Sequence, residues 1–305
     1  MVLVTGEILG VLTPQTRGRI VAQSPMTFSV AGAEFNVAVA LARLGERVGF
    51  SGLTGDDAIG RVARQIFRQE GVDITWLEST PDYPSGLYFK EFYGIGDEPR
   101  VYYHRRASAA THWIPPAANE LTQVDWVHTT GITAMLDDGL RGRLVSWLRD
   151  LSASTTVSLD INYRPKLGSQ TAWQEALRMM LPVCRVIFGS PAEWEALTGT
   201  RDPKALLAEG MINEEQILVL KDGNEARVVQ GGETVAVRSA LRVPSVVDVV
   251  GAGDGLAAGV IAGYRQTGDW ATALAWGHIV GAYAVRHPGD WEGYPTRDEV
   301  LGVLG

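Results

Sequence analysis

Cysteine is almost missing from this chain. Its 305 residues hold one, Cys184, so no disulfide can form within it, and a reducing cytoplasm is the expected compartment. Histidine is scarce too, with five residues, and no Cys/His cluster has the spacing of a metal site. There is no basic excess: 35 acidic against 27 basic residues leave a net charge of −8, which argues against nucleic acid or an anionic membrane as a partner. No apolar run reaches membrane-spanning length. The opening Met1-Val2-Leu3-Val4-Thr5-Gly6-Glu7 lacks the basic flank and long apolar core of a signal peptide and reads as a strand. The sequence also contains no Gly-x-x-x-x-Gly-Lys-Ser/Thr, no His-Glu-x-x-His and no Gly-x-Ser-x-Gly. P-loop kinases, zincins and α/β-hydrolases lose support accordingly.

What is present is regular alternation. Hydrophobic residues make up 46% and charged residues 20%, as in a soluble globular protein. Strands are expected at 2–4, 48–53, 126–129, 156–160, 185–188 and 216–220. Helices are expected at 31–44, closed by Gly45, and at 58–69, 138–150, 172–180, 191–197, after Gly253, and 269–286. A hairpin about Gly231-Gly232 joins 226–230 to 234–237. Such alternation predicts one α/β unit spanning 1–305, with a mainly parallel sheet covered by helices on both faces. Its ligand lies beyond the C-terminal ends of the strands. Two segments read differently. Residues 8–30 are turn-rich. Residues 85–108 are aromatic and form a second hairpin, with its turn at Gly94-Ile95-Gly96-Asp97.

The stretch Val246-Val247-Asp248-Val249-Val250-Gly251-Ala252-Gly253-Asp254-Gly255 leads into a run of small apolar residues. The simplest geometry is a loop ending at a helix N-terminus near Ala252. There the first N–H groups have no helical partner, and the helix dipole adds partial positive charge. Glycines let an anion approach the backbone, so this is a phosphate cradle. A carboxylate in its first turn, Asp254, would repel a bound phosphate. It makes sense as the proton acceptor for a hydroxyl that attacks one. The plainer reading is a Gly-rich loop before a core helix, with Asp254 as a first-turn charge.

The pattern resembles the Asp-x-x-Gly-Ala-Gly-Asp signature of the ribokinase-like (PfkB) sugar kinases. A second stretch resembles that family's N-terminal signature: Gly32-Ala33-Glu34-Phe35-Asn36 followed by Ala40-Leu41-Ala42-Arg43-Leu44-Gly45, then Gly55-Asp56-Asp57-x-x-Gly60. The usual Gly-Gly pair is Ala31-Gly32 here. The resemblance implies a three-layer α/β/α fold with a small β lid, formed by roughly 8–30 and 85–108, and a homo-oligomer assembled through that lid. It implies ATP and Mg2+ as cofactors, with Asp254 as the base and Gly251, Ala252 and Gly253 as the anion loop.

Ser158-Leu159-Asp160-Ile161-Asn162-Tyr163-Arg164 resembles the Asp-x-Asn-x-Arg segment of the 2-keto-3-deoxygluconate kinases within the family. Read alone, Arg164 is a surface cation. By resemblance Arg164 and Arg105 contact an acidic sugar, and a guanidinium suits a carboxylate through paired hydrogen bonds. The implied sugar site adds Gly32, Ala33, Asn36, Tyr88 and Tyr103. Asn162, Ser190, Glu193, Lys221, Gly223 and His278 are the implied nucleotide neighbours. Ser190 replaces the family's Asn, and Glu193 organises Mg2+ through water. Read alone, Glu193 is a first-turn acid and His278 a lone helical histidine. Asp248 marks the family's monovalent-ion site, for K+. The expected activity is phosphorylation of 2-keto-3-deoxygluconate at its terminal hydroxyl. The alternatives are a kinase for fructose, 2-keto-3-deoxygalactonate or ribose, or a sugar-binding regulator that has lost transfer.

Overall fold

The protein is described by a computed structural model covering residues 1–92 and 100–305. In chain order its first strands are β1 (Val2–Thr5), β2 (Leu9–Pro14), β3 (Met26–Ala31), β4 (Val48–Gly55), β5 (Asp73–Thr80), β6 (Gly86–Glu91) and β7 (Arg100–His104). They are followed by β8 (Trp126–Thr130), β9 (Thr156–Asp160), β10 (Val186–Gly189), β11 (Ile217–Lys221), β12 (Glu225–Gln230) and β13 (Glu233–Ser239). Among the described residues these build a nine-stranded sheet ordered β13-β12-β11-β10-β9-β8-β1-β4-β5 and a four-stranded sheet ordered β3-β2-β6-β7. The large sheet is parallel from β5 to β11, and β12 and β13 add an antiparallel edge. β1 lies inside it, pairing Val2 with Val48 on one side and with Trp126 on the other.

Period-two alternation divides the large sheet's side chains between two cores. Val2, Val4, Val186, Phe188, Ile217 and Val219 enter one. Leu3, Ile187, Leu218 and Leu220 enter the other. The first core is covered by helices α1 (Ala33–Arg43) and α2 (Ala58–Gln69). The second is covered by α4 (Asp138–Leu151), α5 (Gln170–Met180), α6 (Pro191–Thr198) and α7 (Pro203–Ala208), with α3 (Gly131–Ala134) at the end of β8. The chain then returns to the first face with α8 (Ala252–Thr267), α9 (Trp270–Ala284) and α10 (Arg297–Leu304). The result is the expected three-layer α/β/α arrangement around a mainly parallel sheet.

Local chemistry fixes the helix starts. Asp57 accepts the N–H of Gly60 at the head of α2, and Ser190 and Glu193 form a reciprocal capping box at α6. Helices α3, α7 and α10 were not expected, being only 4, 6 and 8 residues long. Runs that short show little helical period, and α6, also of eight residues, was expected from the Pro at its first turn rather than from its period. The second aromatic strand runs from Arg100 to His104. The turn expected at Gly94-Ile95-Gly96-Asp97 lies outside the described residues. No helix among the described residues is long and apolar enough to cross a membrane.

The small sheet pairs β2 with β3 and β6 with β7 antiparallel, and joins the two hairpins through parallel β2 and β6. It leaves the main sheet after β1 and after β5, the two excursions the turn-rich and aromatic segments foreshadowed.

Candidate active site

Parallel strands deliver their C-terminal ends to one side of the sheet, and a cavity of about 620 Å3 opens there. Its floor is the junction of the 248–251 loop with α8. Gly251 caps the helix in the left-handed region at φ 78°. A Cβ at that position would collide with the carbonyl oxygen of Asp290, so glycine is required on both counts. Gly32, at φ 154°, plays the same part at the head of α1, where a Cβ would meet the carbonyl oxygen of Glu7.

Asp254 sits in the first turn of α8. Asn36 Nδ2 donates to its Oδ2 at 2.8 Å, and Asn162 Nδ2 approaches its Oδ1 at 3.4 Å. The carboxylate opens to the cavity but is ringed by protein. Desolvation pushes its pKa up to about 7, against the Asn36 hydrogen bond and the charges of Lys221 and Arg164, and with help from Asp160. Asn162 reaches this position from the end of β9 in a left-handed conformation, φ 47°, which asparagine tolerates better than most residues. Glu193 holds that turn: its two oxygens accept the N–H groups of Tyr163 and Ser190, each at 2.7 Å.

Lys221, at the end of β11, donates to Asp160 Oδ2 at 2.5 Å. Burial pulls its pKa down, but the charges of Asp160, Glu193 and Asp254 leave the ammonium above the ordinary lysine value. Its Nζ would lie 3.8 Å from a Cβ on Gly253, so the cation stands beside the anion loop.

The opposite wall carries Tyr88 and Tyr103 from the small sheet, with Arg105 just beyond β7. The Arg105 guanidinium pairs with buried Glu7 and lies 5.4 Å from the Tyr103 ring centroid. Arg164 also lines the cavity, exposed, and donates to the carbonyl of Tyr163 at 3.1 Å. Gly32, Ala33, Asn36, Asn162, Glu193, Lys221, Gly251, Gly253 and Asp254 line it as well. Asn36 Oδ1, Asn162 Oδ1 and Arg105 Nε are buried without a hydrogen-bond partner. Orphans of this kind in one cavity are what a polar ligand would satisfy.

Other expected residues fall outside the lining. Ala252 is the first residue of α8, and Ser190 caps α6 behind Glu193. Gly223 lies in the exposed turn between β11 and β12. His278 is buried in α9 with Nε2 3.0 Å from the carbonyl oxygen of Arg238, and burial lowers its pKa. Asp248 lines a second cavity of about 810 Å3.

Residues 1–297 match the family described as pfkB family carbohydrate kinase. The chain belongs to this family. It is 31% identical to 2-dehydro-3-deoxygluconokinase of Bacillus subtilis over 98% of its own length and 94% of that protein's. Against 2-dehydro-3-deoxygluconokinase of Thermoproteus tenax the identity is 30%, over 90% and 85% of the two chains. A crystal structure of aminoimidazole riboside kinase from Salmonella enterica, complexed with aminoimidazole riboside and an ATP analogue, superposes with a TM-score of 0.82. Its identity is 25%, covering 100% of this chain and 99% of that one.

In this pfkB-family chain the cavity also holds residues that sequence reasoning passed over. Glu7 follows β1 on the ligand edge, a signal that was available. It accepts from Ser108 Oγ at 2.6 Å as well as from Arg105. Buried Glu34 accepts from Thr130 and Thr133, each at 2.6 Å, and desolvation raises its pKa against those bonds. Lys90 shares the face of Tyr88 two residues earlier, as strand alternation requires. It meets Asp290, in the Gly289-Asp290-Trp291-Glu292-Gly293 stretch whose resemblance implies a loop closing the nucleotide or monovalent-ion region.

Proposed function

We propose that this pfkB-family chain is an ATP-dependent sugar-acid kinase that phosphorylates 2-keto-3-deoxygluconate at its terminal hydroxyl to give the 6-phosphate. Asp254 carries the reading: a carboxylate with its pKa near 7, in the first turn of the helix behind a glycine anion loop, facing a cavity walled by two arginines. Transfer calls for a base able to take a hydroxyl proton near neutral pH, and Asp254 is tuned to that range. Asn36 and Asn162 hold its two oxygens toward the cavity. The first-turn N–H groups of α8 and the Lys221 ammonium offer positive potential where the phosphoryl group would lie.

ATP with Mg2+, when bound, would supply the transferable phosphoryl group. The chain fits it. Among the described residues no three His, Cys, Asp or Glu side chains gather into a metal cage. This suits Mg2+, which is held mainly by phosphates, water and one or two carboxylates. Glu193, with spare lone pairs on both oxygens, is the carboxylate that would act through water. In the related riboside kinase the complex includes an ATP analogue.

Arg105 and Arg164 bind the sugar's carboxylate, and Tyr88 and Tyr103 flank its chain. The small sheet acts as a lid that excludes water from transfer, and its outer face pairs with a second copy. The names of the two relatives at 30–31% identity support the acid over a neutral sugar. The single, buried Cys184 suits a reducing cytoplasm.

The test is coupled ADP release with Mg2+ against 2-keto-3-deoxygluconate, its galacto epimer, fructose and ribose. Turnover confined to the keto-deoxy acids, and weakened in Arg164→Ala, is expected. Preference for a neutral sugar would overturn the acid reading. No turnover on any sugar would point to a binding protein.

A further inference from the structure

Among the described residues, Lys90 is the one cation lining the cavity that the proposed substrate and nucleotide contacts leave without work. It stands on β6 and is only 3% exposed. A buried ammonium is costly unless carboxylates surround it, and here two do. Its Nζ donates to Asp290 Oδ1 at 2.8 Å and lies 4.0 Å from Asp248 Oδ2.

Both carboxylates belong to segments that shape the anion loop. Asp248 Oδ1 accepts the N–H of Val250 at 3.0 Å. The carbonyl oxygen of Asp290 packs directly against Gly251. Tyr294, four residues on, donates its hydroxyl to the carbonyl of Gly251 at 2.7 Å. Asp290 Oδ2 accepts from the hydroxyl of Tyr88 at 2.7 Å, which ties the same knot to the small sheet. Lys90, Val249, Val250 and Asp290 line both the 620 Å3 and the 810 Å3 cavities. The ammonium therefore lies in the wall between them, behind the loop.

The monovalent ion expected at Asp248 does not fit this donor set. One oxygen of Asp248 is committed to a backbone amide and the other faces an ammonium. A K+ taken up by that carboxylate would stand within a few ångströms of a like charge in a poorly solvated wall, where repulsion is strong. The positive charge such an ion would contribute is already there, delivered on a side chain.

We propose that the Lys90 ammonium is a built-in monovalent cation: it replaces K+ beside the anion loop, sets the loop through Asp248 and Asp290, and frees turnover from any need for added alkali-metal ions. Lys90 is thus a positioning residue. Because it rides on the small sheet with Tyr88, the loop is set only when that sheet is seated. The inference rests on the kinase reading, and its test includes a readout that does not need turnover.

The full-length protein is exchanged into tetramethylammonium buffer. Its rate with MgATP and its melting temperature are then compared in KCl and in tetramethylammonium chloride of matched ionic strength, so that screening cancels. The wild type is expected to give the same rate and the same melting temperature in both salts. Lys90→Met, with a neutral side chain of similar length, is expected to lose about 10²-fold in kcat without K+, the scale of a small misplacement of reacting groups. KCl should restore that rate and raise the variant's melting temperature, and tetramethylammonium should do neither. Stimulation of the wild type by K+, or a K+-specific rise in its melting temperature, would overturn the proposal. So would a Lys90→Met protein that stays fully active without K+, or one that K+ neither rescues nor stabilises, since the lysine would then be structural or a phosphate contact. If Lys90→Met does not fold, Lys90→Gln takes its place, and the two wild-type measurements decide in either case. A chain that turns over no sugar fails the kinase reading alone, and the melting comparison still reads the ion site.

Discussion

The two sheets treat their faces differently. In the large sheet every residue of β1, β8 and β10 is buried, as a parallel sheet covered on both sides requires. In the small sheet β6 alternates: Gly86, Tyr88 and Lys90 are buried, whereas Leu87, Phe89 and Glu91 are not. The inner face of β6 thus faces the cavity, and among the described residues its outer face is only partly covered. Chemistry divides along the same line. Asp254, Asn162, Glu193 and Lys221 follow the large sheet and α8, a frame anchored in two cores. Tyr88, Tyr103, Arg105 and Lys90 come with a sheet whose own core is just Leu9, Val11, Ala31 and Tyr88 with a few neighbours. On the proposed function, the groups that would hold the reacting atoms sit on the large-sheet half, and those that would recognise the sugar, Arg164 apart, sit on the small sheet.

The strongest way to break that division is at Asp254. Asp254→Asn removes the base while keeping the shape, so kcat should fall by about 10²–10⁴-fold in the coupled assay. Near wild-type turnover would remove Asp254 from its role. The wild-type rate should rise with pH and level off above about 7, where the carboxylate is ionised. Stability runs the other way. The folded pKa lies above the unfolded value, so ionisation inside the fold costs free energy, a penalty that grows as pH rises from about 4 to 7 and is complete above that. Asp254→Asn should therefore be more stable than wild type at pH 8, on the order of 2 kcal/mol once the opening to cavity water is discounted, with the gain vanishing toward pH 4. Thermal melts at the two pH values check this.

A finer contrast sets one arginine from each half against the other. Arg164 is exposed and bonds to its own loop's carbonyl. Arg164→Ala should raise KM for the sugar acid roughly 10–100-fold, the worth of a charged hydrogen bond, and leave the melting temperature unchanged. Arg105 is paired with Glu7, and the two side chains are 9% and 1% exposed. Arg105→Ala should raise KM comparably and also destabilise by about 3 kcal/mol, because it strands a buried carboxylate. If both variants melt like wild type, the Glu7 pair does not seat the small sheet and the division between halves weakens.

Much of the large-sheet half was legible in sequence, because its signals are local. Apolar runs, helix caps and the glycine loop each occupy a few adjacent residues, and Asp254 lands in the first turn of α8 as its spacing from Gly251 predicts. The small sheet was harder. Parallel pairing of β2 with β6 joins residues 77 or so apart, and nothing in either strand names its partner. A lysine in a strand reads as a solvent-facing charge, so Lys90 showed its burial only once Asp290, 200 residues on, was placed beside it. Arg164 was singled out by a motif and Arg105 by resemblance, but neither says that Glu7 holds Arg105 and that a backbone carbonyl receives Arg164. Gly223 and His278 were named by resemblance alone, and the fold puts one in an exposed turn and the other against β13.

The smallest expected effect tests the outer face of the small sheet. Phe28 and Tyr102 are 42% and 39% exposed there, and the Phe89 ring stacks on Tyr102 with centroids 5.1 Å apart. A half-covered aromatic at this position supports the fold weakly, so Phe89→Ala should cost the isolated chain less than about 1 kcal/mol. An apolar face left open in this way also suits a second copy of the same sheet. Phe89→Lys would place a charge in such an interface, where two symmetric copies bring like charges together. Light scattering should then show the wild type as a dimer or larger and Phe89→Lys as a smaller species, with kcat retained if the lid closes on its own sugar without help. A wild type that is monomeric at every concentration would leave the outer face simply tolerated. A Phe89→Lys monomer that loses activity would instead make the second copy part of the lid, and the small sheet would owe its seating to a neighbour rather than to Glu7 and Asp290.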